Sequence, residues 1–537
     1  ALPAPPSPPL PPSAPPPLLP PPSPPPPPPP PPSTPPPLPA YLTIEKYALQ
    51  FNSTIQGEDA NDQAGWDVAM SADGTILAIG VGYSDGPGNT DSNMGSVRVY
   101  YRADDGWAPM GQVIHGEAAG DGSGKSISMS ADGLTLAVGA RSNSVGGHVR
   151  VWEFNSIDNA WVLSSQDLDA EYSSDQFGWA VALSADGTTV ASGAPYRSEV
   201  RYGGHGPTTT RVWRRPTGAH APLTPHTWNR MGTNLEEEAE GDNSGYSLAL
   251  SADGMVLAVG AIYNVGGGTS NGNGHVRVWR WDAELGAAGG WAHPDADIDG
   301  TETNYGTGHG YLGATVTLSA DGTTLAAGAT YNGGSVQDSL VGHVGVYRHN
   351  PGADRWDSIG DVYGDAAAPN SGDRLGASVA LSADGAILAA GEENGGRVHI
   401  YAFDGDSTYK KLFVDSVSDS TSTAAKVVAV AMSADGLTVA AGMYMGDTAT
   451  RVGSGMTRVY TALAYASPPL SPPYLPPYAP NAAPLSPPPS PPPSPSTPPP
   501  PPLHLTVEGY ALRGDPVYGE AVGDYSGYSV ALSADGY

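Results

Sequence analysis

Several groups of residues have the types and spacing to do chemistry. Asp295-Ala-Asp-Ile-Asp-Gly300 places the carboxylates of Asp295, Asp297 and Asp299 at alternate positions ahead of a glycine, the ligand spacing of a calcium loop. The competing reading is a solvated acidic turn at the end of a strand. Gly124-Lys125-Ser126 has the tail of a phosphate loop, but Ala119 stands where the upstream glycine is required, and a strand is expected to follow, not a helix. Asn52-Ser-Thr54 is an N-glycosylation sequon, usable if the chain is secreted. Arg513-Gly-Asp515 is a three-residue match inside a predicted strand, for which chance is a sufficient explanation. No Ser/His/Asp grouping, metal signature or paired-carboxylate motif recurs in a supporting context, so an enzyme is not expected. Calcium is the one ion the residues suggest, and no other cofactor is expected.

The elements that must position such residues come from a repeat. The tetrapeptide Ser-Ala-Asp-Gly occurs with its aspartate at Asp73, Asp132, Asp186, Asp253, Asp321, Asp384 and Asp435, and once more near the end of the chain. A glycine stands six residues before the motif serine in six of the first seven copies (Gly65, Gly124, Gly178, Gly245, Gly313, Gly376), and Val427 takes its place in the seventh. Another stands nine residues after it in all seven: Gly80, Gly139, Gly193, Gly260, Gly328, Gly391 and Gly442. In the fourth copy Tyr246–Leu250 and Met255–Val259 alternate with period two around the Asp-Gly pair, which predicts a hairpin. Leu248 and Leu250 share one face, and Ser247, Ala249 and Ala258 share the other, small enough to let a neighbouring sheet approach closely.

A third strand follows each hairpin, as in His148-Val-Arg-Val-Trp152 and His275-Val-Arg-Val-Trp279, and a fourth begins at an aromatic residue: Trp107, Trp161, Trp228, Trp291, Trp356 or Tyr409. Four antiparallel strands at this period describe the blades of a propeller. His148, His275 and His343 share one repeat position on different blades, so they are not expected to converge on a metal. First, second and third strands occur seven times, internal fourth strands six. The segment from Tyr47 to Gly57 has the missing pattern and precedes the first hairpin, so it is expected to complete the last blade and close the ring, removing exposed edges.

The blade motif resembles the FG-GAP repeat of integrin α-subunit propellers, most plainly at Phe177-Gly178 and Gly193-Ala194-Pro195. The resemblance covers residues 42 to 461 and implies a seven-bladed fold. In that family calcium loops join the first two strands; here the connection is Ser-Ala-Asp-Gly, too short to wrap an ion. The acidic loops Glu58–Asp62, Glu117–Asp121 and Glu236–Asp242 and the Gly/Asn/Ser-rich loop Asn264–Gly274 are expected on one face, the ligand face of the integrin-like family. The proline-rich run Pro487-Pro-Pro-Ser490-Pro-Pro-Pro-Ser494 resembles hydroxyproline-rich glycoproteins of plant and algal surfaces, which implies hydroxylation and O-glycans on the segment carrying Ser490 and Ser494.

Fold class and organisation are therefore expected to be an all-β, seven-bladed propeller of four-stranded blades over 41–466, polyproline II segments at 1–40 and 467–503, and the start of a second propeller at 504–537, where Leu505–Leu512 repeats Leu42–Leu49. Polyproline II rises ~3.1 Å per residue, so about forty residues span on the order of 120 Å if straight. The formal charge is −30, from 54 acidic and 24 basic residues, with no basic stripe for nucleic acid. No apolar run reaches the length of a membrane helix. The chain has 0 cysteines, which removes thiol chemistry. The chain is expected to be a mature or internal piece of a tandem array. The expected function is a structural glycoprotein of an extracellular fibril, appendage or wall layer, self-associating through its proline-rich segments and carrying glycans. The alternative is an adhesion or carbohydrate-binding module using the loop face.

Overall fold

The computed structural model describes residues 42–466, apart from loop residues 88–91, 145, 197–207, 217–226, 265–271, 286–288, 301–309, 333–339, 365–371, 395, 406–407, 417–426 and 446–452. Two compact units divide the chain, Ala1–Leu470 and Ser471–Tyr537, and all the described residues belong to the first. The proline-rich segments, Ser490, Ser494, Arg513-Gly-Asp515 and the second-propeller start therefore lie outside the described residues.

Within the first unit the strands form seven antiparallel sheets. Blade 1 comprises Ala64–Met70, Ile76–Val81, Ser96–Ala103 and Gly106–Pro109. Blade 2 comprises Ser126–Met129, Thr135–Ala140, His148–Asn155 and Ala160–Leu163. Blade 3 comprises Ala180–Leu183, Thr189–Ala194, Thr209–Arg214 and Asn229–Arg230, and blade 4 comprises Ser244–Leu250, Val256–Ala261, His275–Asp282 and Gly290–Ala292. Blade 5 holds Leu312–Leu318, Thr324–Ala329, His343–Asn350 and Arg355–Tyr363, and blade 6 holds Leu375–Leu381, Ile387–Glu392, Arg397–Phe403 and Tyr409–Ser416. Blade 7 takes Val427–Met432, Thr438–Met443 and Met456–Ala466 from the end of the domain and Leu42–Gln56 from its start. The fold is a seven-bladed β-propeller, closed by its N-terminal strand as the count of strands requires.

That closure has a chemical signature. Tyr409 opens the fourth strand of blade 6, and its hydroxyl donates to the carbonyl of Gly385 in its own hairpin turn at 2.6 Å. Tyr47 makes the same bond, at the same length, to Gly436 in the turn of blade 7. The strand pairs with Met456–Ala466 from Leu42↔Ala466 to Gln56↔Met456, with a bulge between Leu49 and Thr54. Asn52 falls within that bulge.

The core is a ring of seven wedges. Each cluster of buried apolar side chains spans two neighbouring blades, and the last, containing Ala64, Leu77, Ala429, Ala440 and Val459, joins blade 7 to blade 1. The alternation read from blade 4 sorts as expected: Leu248 and Leu250 face blade 3, while Ala249 and Ala258 face blade 5. The two glycine repeats also explain each other. A Cβ on Gly193 would lie 2.0 Å from the carbonyl oxygen of Gly245 on the next blade, and the same contact recurs at Gly80, Gly139, Gly260, Gly328 and Gly442 against the following blade. Only hydrogen fits where two backbones approach so closely.

The hairpin turn is tighter in its logic than an Asp-Gly type I′ turn. Only the glycine has positive φ (+70° at Gly74), and its N–H closes the turn on the Ser71 carbonyl at 3.0 Å. This is a type I turn followed by a left-handed glycine. In all seven copies the serine hydroxyl donates to the aspartate at 2.5–2.6 Å. The aspartate accepts from the N–H two residues on at 2.9–3.0 Å. The serine oxygen accepts from the N–H five residues on at 2.9 Å. With turn polarity satisfied internally, the alanine backbone is free to face outward. Its N–H donates to the alanine carbonyl of the next turn: 72 to 131, 131 to 185, 185 to 252, 252 to 320, 320 to 383, 383 to 434, and 434 back to 72, at 2.8–3.0 Å. The Ser-Ala-Asp-Gly motif thus builds a closed hydrogen-bonded ring around one end of the axis.

Candidate functional site

The repeat-turn aspartates, from Asp73 to Asp435, are turn residues whose Oδ1 accepts from the motif serine hydroxyl and from a backbone N–H, on the face occupied by the alanine ring. The opposite face receives the loops between second and third strands and between one blade and the next.

Asp295, Asp297 and Asp299 do not gather. Asp295 accepts from His349 at 3.0 Å, Asp297 is bound by the Arg277 guanidinium at 2.9 and 3.1 Å and by His293 at 2.7 Å, and Asp299 pairs with His275 across the ladder. Burial would raise the Asp297 carboxyl, but the His293 and Arg277 bonds outweigh it and hold it well below the usual range; Asp299 is raised, chiefly by burial. A divalent ion needs such carboxylates convergent and free of competing cations, so the calcium-loop reading finds no support in this geometry. The reason is local: Arg277 and His293 hold the Asp297 carboxylate and His349 binds that of Asp295, so cations on different strands claim the acids separately.

Two acid–histidine groups do converge, Glu117/His148/Asp167 and Glu238/His275/Asp297. They occupy equivalent places in blades 2 and 4. An arginine already fills the middle of each: Arg150 between Glu117 and Asp167, and Arg277 between Glu238 and Asp297. His148 and His275 have pKa values lowered by burial first. Blade 6 has a deeper version, in which the Glu392 carboxylate binds His399 at 2.7 Å and Arg397 at 2.6 Å, with Glu392 and His399 both fully buried. His343 pairs with Asp361 at 2.8 Å. These are polar contacts between strands, made by the third strands of blades 2, 4, 5 and 6, and the histidines stay on separate blades.

What the repeat does bring together is a collar of aromatic rings and cations at the loop-face end of the axis. Its residues come from three repeat positions: two residues before the first-strand glycine (Tyr311, Arg374), one residue after it (Trp66, Lys125, Trp179, Tyr246), and two or three after the second-strand glycine (Tyr83, Arg141, Tyr196, Tyr263, Tyr331, Tyr444). Trp66 meets Tyr444 and Tyr83 at 4.8 and 5.6 Å between ring centroids, Trp179 meets Tyr196 and Tyr246 at 4.7 and 5.3 Å, and Tyr311 bridges Tyr263 and Tyr331 at 5.4 and 4.9 Å. Lys125 Nζ lies 3.9 Å from the Tyr83 ring centre, Arg141 stacks 3.9 Å over Trp179, and Arg374 lies 4.4 Å over Tyr331. Such edge-to-face and cation–π geometry holds each side chain in place. Burial, then the neighbouring Arg141 charge, lowers the Lys125 amine to about 8, and burial lowers Arg141. Burial first, then Tyr196, raises the Tyr246 hydroxyl to about 12.

Beside the collar a cleft of about 760 Å³ opens between blades 2, 3 and 4, with Arg141, Tyr196 and Tyr263 in its wall. Reading the motifs singly missed this site. Lys125 stands out in the sequence only as part of a phosphate-loop fragment, and the structure places it just before the first strand of blade 2, which begins at Ser126. The signal lay in the residues just before and after each repeat glycine, compared from blade to blade.

No protein-family model matches this chain, and no curated protein matches it. Among solved structures, it is similar to the β-propeller domain of Cps50 (Swd1) from Myceliophteria thermophila, at 13% identity and a TM-score of 0.47, over 78% of this chain and 100% of that one.

Proposed function

We propose that this chain is a structural, non-catalytic glycoprotein subunit of an extracellular fibril, appendage or wall layer, in which FG-GAP-type propeller beads are carried between proline-rich segments. One observation carries the reading: Leu42 pairs with Ala466. The chain enters and leaves the propeller at one place, so each bead closes on itself and proline-rich segments of any length attach without opening a sheet. The composition of 1–40 and 467–503 supports an extended, glycan-bearing spacer, with self-association through those segments. Asn52, in the bulge of the outermost strand, and Ser490 and Ser494 are the attachment sites this reading proposes.

The test is electron microscopy of native material together with hydroxyproline and glycan analysis of 467–503. Filaments or layers with beads at regular spacing, and hydroxyproline glycosides on the spacer, are the expected result. A soluble intracellular monomer with unmodified prolines would sink it. A second reading, a carbohydrate-binding module on the loop face, is favoured by the aromatic collar.

A further inference from the structure

In a chain of net charge −30, Lys125 stands close enough to Arg141 for the guanidinium charge to help lower its amine. Among the described residues neither forms an ion pair. Their contacts are with rings: Lys125 over Tyr83 and Trp66, Arg141 over Trp179. Stacking occupies the face of the Arg141 guanidinium and leaves its N–H edge available, the part that binds carboxylate and sulfate in a planar, bidentate manner. Arg141 is also part of the cleft wall.

The rest of the cleft says what else the ligand carries. Tyr196 and Tyr263 line it, and Tyr263 is 43% exposed, so a ring face is open to solvent. Aromatic faces stack against the C–H face of a pyranose. Ser142, Ser173 and Gln176 add neutral hydroxyl and amide groups, suited to sugar hydroxyls. The wall carboxylate, Glu237, accepts a 2.6 Å bond from Thr208. The volume suits one or two sugar residues. A bare inorganic anion would use the cations and leave the rings unused; a neutral sugar would use the rings and leave the cations unpaired.

We propose that the cleft between blades 2, 3 and 4 binds an acidic saccharide, with its carboxylate or sulfate on the edge of Arg141 in the field of Lys125 and a pyranose ring against Tyr196 and Tyr263. This rests on the carbohydrate-binding reading of the loop face and adds the site and the ligand class.

The experiment is calorimetric titration of the full chain with a uronate oligosaccharide, a sulfated oligosaccharide, neutral counterparts of each, and poly-glutamate. Uronate or sulfated sugar binds, with affinity that falls as salt rises, and neutral sugars bind at least ~10-fold more weakly. Arg141→Gln lowers acidic-sugar affinity ~10-fold or more, and Tyr263→Ala also weakens it. Arg355→Gln, on the outer strand of blade 5 and in neither collar nor cleft, leaves it unchanged. Thermal melts establish that each variant is folded. Acidic-sugar binding indifferent to Arg141→Gln overturns the site, and equal binding of poly-glutamate overturns the saccharide. Neutral sugars bound as tightly as acidic ones overturn the ligand class while leaving the carbohydrate-binding reading intact; failure of every sugar removes both.

Discussion

The Ala434 N–H donates to the Ala72 carbonyl at 2.8 Å, joining the turn of the last blade to the turn of the first. It is the seventh member of a ring whose other six bonds join consecutive turns. A propeller held only by apolar wedges could slide blade on blade. Directional bonds between turns fix the angular register, and the last bond exists only if the blade count is right.

Ala252→Pro tests the ring cleanly. Proline is favoured at the second position of a type I turn, so the backbone fits and the change removes one N–H donor. The Ala320 carbonyl then loses its partner. The expected cost is ~1–2 kcal/mol of unfolding free energy, read by denaturant titration; an unchanged midpoint would show that the ring adds nothing to stability.

The glycine repeat makes a second, comparative prediction. Gly193 has ordinary φ but no room, while Gly120 has φ +86° and nothing within 4 Å of a Cβ. Gly120→Ala should cost ~1 kcal/mol from backbone strain alone, whereas Gly193→Ala must push two blades apart and should cost ~3 kcal/mol. Reversal of that order in thermal melts would refute the close-approach explanation.

The N-terminal strand should be indispensable. Tyr47→Phe strands the buried Gly436 carbonyl and should cost ~1–2 kcal/mol. Deleting residues 42–57 leaves Met456–Ala466 as an unpaired edge, and the product should precipitate or lose the parent's cooperative thermal transition. A soluble deletion variant that keeps that transition is the outcome that contradicts the closure.

Asp67 gives a pH prediction. Burial raises its carboxyl to about 7, against the N–H bonds from Ile127 (2.8 Å) and Val68 (2.9 Å) that pull the other way. In the unfolded chain it titrates near ~4. Between those values the native state keeps a proton that the unfolded state has lost, so this group favours folding at low pH and that contribution is lost as pH rises toward 7. Asp67→Asn should melt close to the parent at pH 4 and above it at pH 8. A melting difference independent of pH would remove Asp67 as its source.

The sequence by itself determined the blade. Its strands follow from period-two alternation, its turns from Ser-Ala-Asp-Gly, and its closure from a strand count that left only the Tyr47 segment to fill blade 7. These are local or countable properties, carried by backbone stereochemistry and hydrophobic pattern within a few tens of residues. Tertiary structure alone decided that the motif alanines join into a ring, that the two glycine repeats meet across blades, that Asp295, Asp297 and Asp299 part company, and that Trp66, Lys125, Arg141, Trp179 and their tyrosines form one collar. Each of those depends on which blade lies beside which and how far it is rotated. Residues more than fifty positions apart become neighbours only when the ring closes, and no spacing along the chain encodes that distance.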